Sequence, residues 1–259
     1  MSVVRSLVHV VRYRECVALL AARTLKVRYR RSFLGFAWTL VYPLLAMCVL
    51  SIVFSHVFVQ VKHYPLYVIV GVLGWSFFSL SCIQAMDALL SGGSILKKVH
   101  VPGAVFPLAA VGANLVNYLL ALVVFVCVSA AFGVLPGFHP LWLLAGVASL
   151  FSFTLGVALA LAALNLFFHD IRYLFETLLL VWFYATPIVY PVAVLPPHVS
   201  VLLRLNPFHW FLEMLRAAMW SGQAPAAGTA VLAPAIGLVT FLLGWLLFNR
   251  LERRFYLYL

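Results

Sequence analysis

Residues 28–43 read RYRRSFLGFAWTLVYP. Three arginines, Arg28, Arg30 and Arg31, fall within four residues, and a long apolar run follows almost at once. A soluble basic protein spreads such charge over a hydrated surface. Here the polarity switches abruptly, which marks where the chain enters a membrane.

Composition points the same way. Apolar residues make up 66% of the chain and charged residues 9%, and mean hydropathy is +1.11. Soluble domains run nearer to roughly one half apolar and about one quarter charged. Seventeen basic and six acidic side chains cannot clothe a 259-residue globule, so lipid must be part of the solvent. The net charge of +11 would suit a nucleic-acid binder. The cations instead form short clusters between apolar runs, and no nucleic-acid partner is expected.

Six runs approach or exceed the roughly 20 residues that carry a helix across about 30 Å of hydrocarbon. They lie at about 35–58, 65–90, 103–132, 141–167, 172–193 and 229–249. Membrane β-barrels show alternating segments of roughly 10 residues instead. The expected fold is therefore an all-α membrane protein with six transmembrane helices. It forms one transmembrane domain over 1–259: a cytoplasmic segment 1–34, spans one to five over 35–193, an irregular outer segment 194–228, and the sixth span with its tail over 229–259.

Lysine and arginine set the orientation. Arg5, Arg12, Arg14, Arg23, Lys26, Arg28, Arg30 and Arg31 precede the first span. Lys97 and Lys98, Arg172, and Arg250, Arg253 and Arg254 fall on the same side, leaving Lys62, Arg204 and Arg216 on the other. Positive charge stays inside, so both termini are expected in the cytoplasm.

The first 34 residues are not a signal peptide, which needs 7–15 apolar residues and a cleavage site. The longest early apolar run, Val17 to Ala22, is six residues and leads into further arginines. Arg5, His9, Arg12, Arg23, Lys26 and Arg30 fall near one helical face, with Leu7, Val11 and Leu25 elsewhere around it. That pattern fits an amphipathic helix at the cytoplasmic interface; a plain topogenic tail is the alternative.

Residues 194–228 are apolar but punctuated by Pro196, Pro197, Pro207 and Gly222. A seventh span there would put the Arg250–Arg254 cluster outside, against the charge rule. Two short helices that dip in and return fit better. Non-helical backbone at that depth survives only where protein or a watery cavity shelters it.

Motifs for chemistry are missing. There is no G-x-x-x-x-G-K-[ST] phosphate loop, no H-E-x-x-H zinc pattern and no G-x-S-x-G nucleophile elbow. Cys16, Cys48, Cys82 and Cys127 are scattered singly and read as packing residues. His169 and Asp170 sit at a turn beside Arg172 and Glu176, whose i,i+4 spacing suits a surface pair. No catalytic residue and no metal site are expected. The loop GGSILKKVHVPG brackets a helix-sized piece, Ser94 to Val101, with Ser94 a candidate N-cap; a passive connection reads equally well from composition.

Four stretches then carry a resemblance: KVRYRRSFLGFAWTLVYPLL, SILKKVHVPGAVFPLA, FHDIRYLFETLLLVWFYATPIVYP and LNPFHWFLEMLRAAMWSG. In this order and spacing they resemble the membrane subunit of a type-2 ABC exporter, in the branch that moves O-antigen, capsule or teichoic-acid polysaccharides. The resemblance covers essentially the whole chain. It implies a homodimer in the bacterial inner membrane, paired with two copies of a separate ATPase subunit. ATP and magnesium would be bound by that partner, and this chain would need no cofactor of its own.

The same resemblance assigns roles. Ser94, Ile95, Leu96, Lys97, Lys98, Val99, His100 and Val101 would form the coupling helix that docks on the ATPase. The N-terminal helix would be the interface helix. The irregular segment, with Asn206, Pro207, Glu213 and Arg216, would be a pair of re-entrant periplasmic gate helices, and Glu213 and Arg216 are spaced to pair at i,i+3.

Aromatic residues mark a path. Sugar C–H faces stack on rings, and rings at successive depths let a polymer slide without a deep well. Trp38 and Tyr42 share a face of the first span, and Trp182, Phe183, Tyr184 and Tyr190 crowd the fifth. Trp38 and Tyr190 also suit an ordinary interfacial belt. The expected substrate is a lipid-linked polysaccharide, such as O-antigen on an undecaprenyl carrier. Capsule or teichoic acid is the near alternative, and a drug or small-lipid exporter, a scaffold or an intramembrane enzyme lie further off.

Overall fold

A computed structural model of the chain describes residues 10–29, 38–99, 101–131, 133, 139–255 and 258. Among these, every regular element is helical. Helix α1 spans Arg14–Tyr29, α2 Trp38–Phe54, α3 Tyr64–Ser91, α4 Gly93–Leu96, α5 Val105–Ala131, α6 Pro140–Phe167 and α7 Asp170–Tyr184. A 3₁₀ turn at Val192–Val194 leads to α8 Pro197–Leu203 and α9 Pro207–Arg216, a π-helical turn Ala217–Ser221, and α10 Ala227–Glu252.

Helices α3, α5, α6 and α10 are long and apolar enough to cross a membrane. The first and fifth expected runs give shorter helices, of 17 and 15 residues, or about 26 and 23 Å at 1.5 Å per residue. Residues 30–37, which precede α2, lie outside the described part. Helix α7 stops at Tyr184 because Thr186-Pro187 follows. Proline supplies no N–H and pushes the preceding residue out of helical geometry.

The hub is α3, which packs against α2, α5, α6 and α9. Its Val68, Phe78, Cys82, Ala85, Met86 and Leu89 are fully enclosed. Among the described residues the most extensive helix pairing is α6 with α10. A Cβ on Gly244 would lie 2.0 Å from the Gly156 carbonyl oxygen, and one on Gly237 would lie 2.6 Å from that of Ser149. Glycine is needed there for backbone approach, the small-residue packing that lipid-embedded helices rely on. Gly237→Ala is expected to destabilise the fold by roughly 1–3 kcal/mol, the usual cost of overpacking, read as a lower melting temperature in detergent. An unchanged melting point would mean the two helices stand further apart.

Helix α1 lies on α5. Its half-buried positions Cys16, Val17, Leu20, Ala21, Thr24, Leu25 and Arg28 form one i, i+3, i+4 stripe. Arg12, Arg23 and Lys26 are exposed as expected, but so are Val11, Leu19 and Val27. The amphipathic reading thus needs correction in detail. The helix sorts its sides by contact with α5, and its outer surface mixes cations with apolar groups. Arg5, His9 and Arg30 lie outside the described residues.

The two ends of the bundle sort the charges. At one end, Phe255 packs on Phe167 and Phe248, and the Gly103 N–H donates to Glu252 Oε1 at 2.6 Å. Arg172 joins Asp87 and, at 3.0 Å, Glu176. At the other end, Trp220 Nε1–H donates to the Lys62 carbonyl at 3.0 Å.

Candidate functional site

Two places concentrate polar groups within the apolar bundle. The first is the break after α7. The chain beyond Tyr184 leaves helical geometry while Thr186, Pro187 and Ile188 stay buried, and buried carbonyls there must be satisfied by protein. The buried Arg216 does this. Its Nη1 and Nη2 donate to the carbonyls of Pro187 and Ile188, both at 2.8 Å. Its guanidinium lies 3.6 Å from the centroid of the Tyr67 ring, a favourable cation–π position. The Tyr64 hydroxyl donates to the Val189 carbonyl at 2.7 Å and the Tyr67 hydroxyl to that of Tyr190 at 3.2 Å. Four consecutive carbonyls, 187 to 190, are therefore held by side chains of α3 and α9.

Asn206 completes the clamp. Its Oδ1 caps α9 by accepting the Phe208 N–H at 3.0 Å and also accepts Trp182 Nε1–H at 2.9 Å. Its Nδ2 donates to Thr186 Oγ1 at 2.8 Å and to the Ala185 carbonyl at 3.2 Å. Pro207 occupies the first turn of α9, where a missing N–H costs nothing. The expected Glu213–Arg216 pair is not formed. Glu213 instead accepts from Thr229 at 2.9 Å and lies 3.4 Å from His209 Nε2 at i,i+4. The two side chains leave α9 toward different neighbours, so spacing alone misassigned the partner.

The six predicted aromatic residues divide. Trp182 stands edge-on to Trp75 and Phe78, and Phe183 packs edge-on to Trp75. Both brace α7 against α3. The Tyr190 hydroxyl donates to the Tyr184 carbonyl at 3.0 Å. Tyr42 and Tyr184 are each 68% exposed and Trp38 is also exposed.

The second place is a cavity of about 610 Å³ between α1, α2, α3 and α5. Trp38 and Tyr42 form one wall, and Arg28, Gln84 and Asn114 stand at one end. Arg28 Nη1 donates to Asn114 Oδ1 at 3.1 Å, and Nη2 donates to Gln84 Oε1. Asn114 Nδ2 donates to Gln84 Oε1 at 3.0 Å. In the sequence, Arg28 stands out only as an orientation charge. The signal for this site was Gln84, Asn114 and Asn117, polar residues inside expected spans.

At the 91–104 connection the expected helix shrinks to one turn, Gly93–Leu96, capped by Gly92 rather than Ser94. A Cβ on Gly92 would lie 2.5 Å from the Phe106 ring, so the loop folds tightly on the start of α5. Leu96 is only 5% exposed and belongs to the core. Ser94, Ile95, Lys97, Lys98 and Val99 are exposed, and Val101 is half-buried. His100 lies outside the described residues.

Residues 15–220 match the family of ABC-2 type transporters. The chain belongs to that family of membrane permeases. It is 34% identical over 88% of its length, and 88% of the relative's, to the O-antigen export system permease protein RfbA of Myxococcus xanthus. Two proteins of the same name from Klebsiella pneumoniae are 27% and 28% identical, over 93% of each chain.

Proposed function

We propose that this chain is the permease subunit of an O-antigen exporter, carrying a lipid-linked polysaccharide across the bacterial inner membrane. The observation that carries the proposal is the likeness to O-antigen export permeases over 88% of both chains. An undecaprenyl lipid is the carrier in this reading. A separate ATPase subunit, present twice, binds ATP and magnesium and docks on the exposed Ile95–Val99 surface. Two copies of this chain enclose the path.

Six spans serve this reading. In it, α2 and α7 complete the four longer ones and the α7 break lies within the membrane, a reading supported by the side chains of Arg216, Tyr64 and Tyr67 that satisfy its carbonyls. Helices α8 and α9 are the re-entrant gate on the periplasmic side, and both termini are cytoplasmic. The exposed rings of Trp38, Tyr42 and Tyr184 supply the sliding surface, while Trp182, Phe183 and Tyr190 hold its frame.

The test uses inverted membrane vesicles containing this chain and its ATPase partner. ATP should drive lipid-linked polymer into the lumen, and the permease alone should hydrolyse no ATP. The double change Tyr42→Ala, Tyr184→Ala removes two stacking contacts of roughly 0.5–1.5 kcal/mol each and should slow export several-fold with ATP hydrolysis retained. Vesicles that transport a small lipid or drug but no polymer would overturn the assignment.

A further inference from the structure

We infer that the cavity between α1, α2, α3 and α5 is a binding site for one anionic glycerophospholipid of the cytoplasmic leaflet, its phosphate on Arg28 and its ester region at Tyr118. The charge comes first. Among the described residues no Asp or Glu lines the cavity and none pairs with Arg28. A guanidinium has five N–H donors; those to the Asn114 and Gln84 amide oxygens are the hydrogen bonds it makes there. Both partners are neutral, so the site keeps a full positive charge. Such a charge at membrane depth is costly without a counter-ion, and a phosphate matches the guanidinium fork in shape.

Depth comes second. Gln84 is seven residues before the end of α3 at Ser91, about 10 Å along the axis. Helix α3, at 28 residues, is about 42 Å long, so this level is near the boundary between head groups and a roughly 30 Å hydrocarbon core. The lining then loses its charge with depth: Asn117, Ser79 and Ser76 follow among apolar and aromatic residues, and Leu73 and Ala121 mark the far end. Leu73 lies eleven residues before Gln84, a further 16 Å or so. A charged head and an apolar tail fit that gradient, with Trp38 and Tyr42 as the outer wall.

The third observation separates one amphiphile from another. Tyr118 is 4% exposed, lines the cavity, and its hydroxyl has no hydrogen-bond partner among the described residues. It sits four residues deeper than Asn114 on α5, about 6 Å below the phosphate level. Glycerophospholipids carry ester carbonyls just below the phosphate; an isoprenoid phosphate has only hydrocarbon there. A buried hydroxyl left unpaired is costly, and an ester carbonyl at that level satisfies it once the lining that covers the oxygen moves aside.

The experiment titrates the purified full-length permease in detergent with tail-brominated phosphatidylglycerol, reading quenching of tryptophan fluorescence. Tail-brominated phosphatidylcholine and, as a competitor, undecaprenyl phosphate form the other arms. Phosphatidylglycerol should bind at least about tenfold more tightly than phosphatidylcholine. Arg28→Gln should remove that preference, while Arg28→Lys keeps most of it. Tyr118→Phe should weaken phosphatidylglycerol several-fold and leave any binding of undecaprenyl phosphate unchanged. If Arg28→Gln does not yield folded protein, Arg28→Lys and Tyr118→Phe still decide. Equal affinity for the two phospholipids overturns the site. Displacement by undecaprenyl phosphate together with indifference to Tyr118→Phe overturns the glycerolipid assignment in favour of the carrier. The readout involves neither polymer nor ATP, so its failure is distinct from failure of the export reading.

Discussion

Val99→Asp is expected to abolish export while leaving a permease that inserts and folds. Leu96→Asp, three residues earlier, is expected to remove the protein altogether. The difference follows from burial: Val99 is 52% exposed and Leu96 is 5% exposed. A carboxylate at Leu96 has no partner and displaces core packing, at a cost of several kcal/mol. At Val99 the carboxylate is hydrated and the fold is indifferent. It becomes costly only when a second protein covers the site, because an unpaired charge must then be desolvated. Co-purification of the ATPase subunit and export are measured together. Loss of both, with melting temperature unchanged, identifies Ile95–Val99 as the coupling surface. Normal export from Val99→Asp would reduce this turn to a connection. The control Ser94→Ala removes a side chain that caps nothing, and should change neither measurement.

The same loop shows how far the sequence could be read. GGSILKKVHVPG announced a short helix between two breakers, and one is there. Which of its side chains faces inward depended on how the turn folds back, with Phe106 of the next element packed over Gly92 and Leu96 in the core. No local pattern encodes that contact. The long spans were legible because hydrocarbon demands roughly 20 apolar residues regardless of neighbours. The length of α7 was hidden for the opposite reason. Its apolar run continues through Ala185–Tyr190, but Pro187 stops the helix, and tertiary partners satisfy the backbone beyond it. The aromatic residues were found by type, yet type could not separate Tyr184, exposed on α7, from Trp182, two positions earlier and packed on α3. Arg28 was visible from the start as a charge. Its place in a cavity required α3 and α5 to bring Gln84 and Asn114 together from thirty residues apart.

Arg216→Met is expected to be among the most damaging single changes in the chain. Methionine fills a similar volume without donors, so the Pro187 and Ile188 carbonyls lose their partners while packing is largely kept. Each unsatisfied buried carbonyl costs roughly 1–3 kcal/mol, and the cation–π contact with Tyr67 goes as well. The total is a large share of a typical folding free energy of about 5–15 kcal/mol. Export should be lost, the melting temperature should fall sharply, and a cysteine at Tyr190 should become reactive to a polar maleimide as the break loosens. Arg216→Lys should fall between, since an ammonium can reach one carbonyl but cannot fork to two. Glu213→Gln is the informative comparison. Its partners are Thr229 and His209, and an amide oxygen still accepts from Thr229, so the loss should be small. Combining Glu213→Gln with Arg216→Met should give close to the sum of the two effects, because no ion pair or hydrogen bond joins the two side chains. A large loss from Glu213→Gln alone, together with a double variant less damaged than the sum, would instead mean that the two charges do pair.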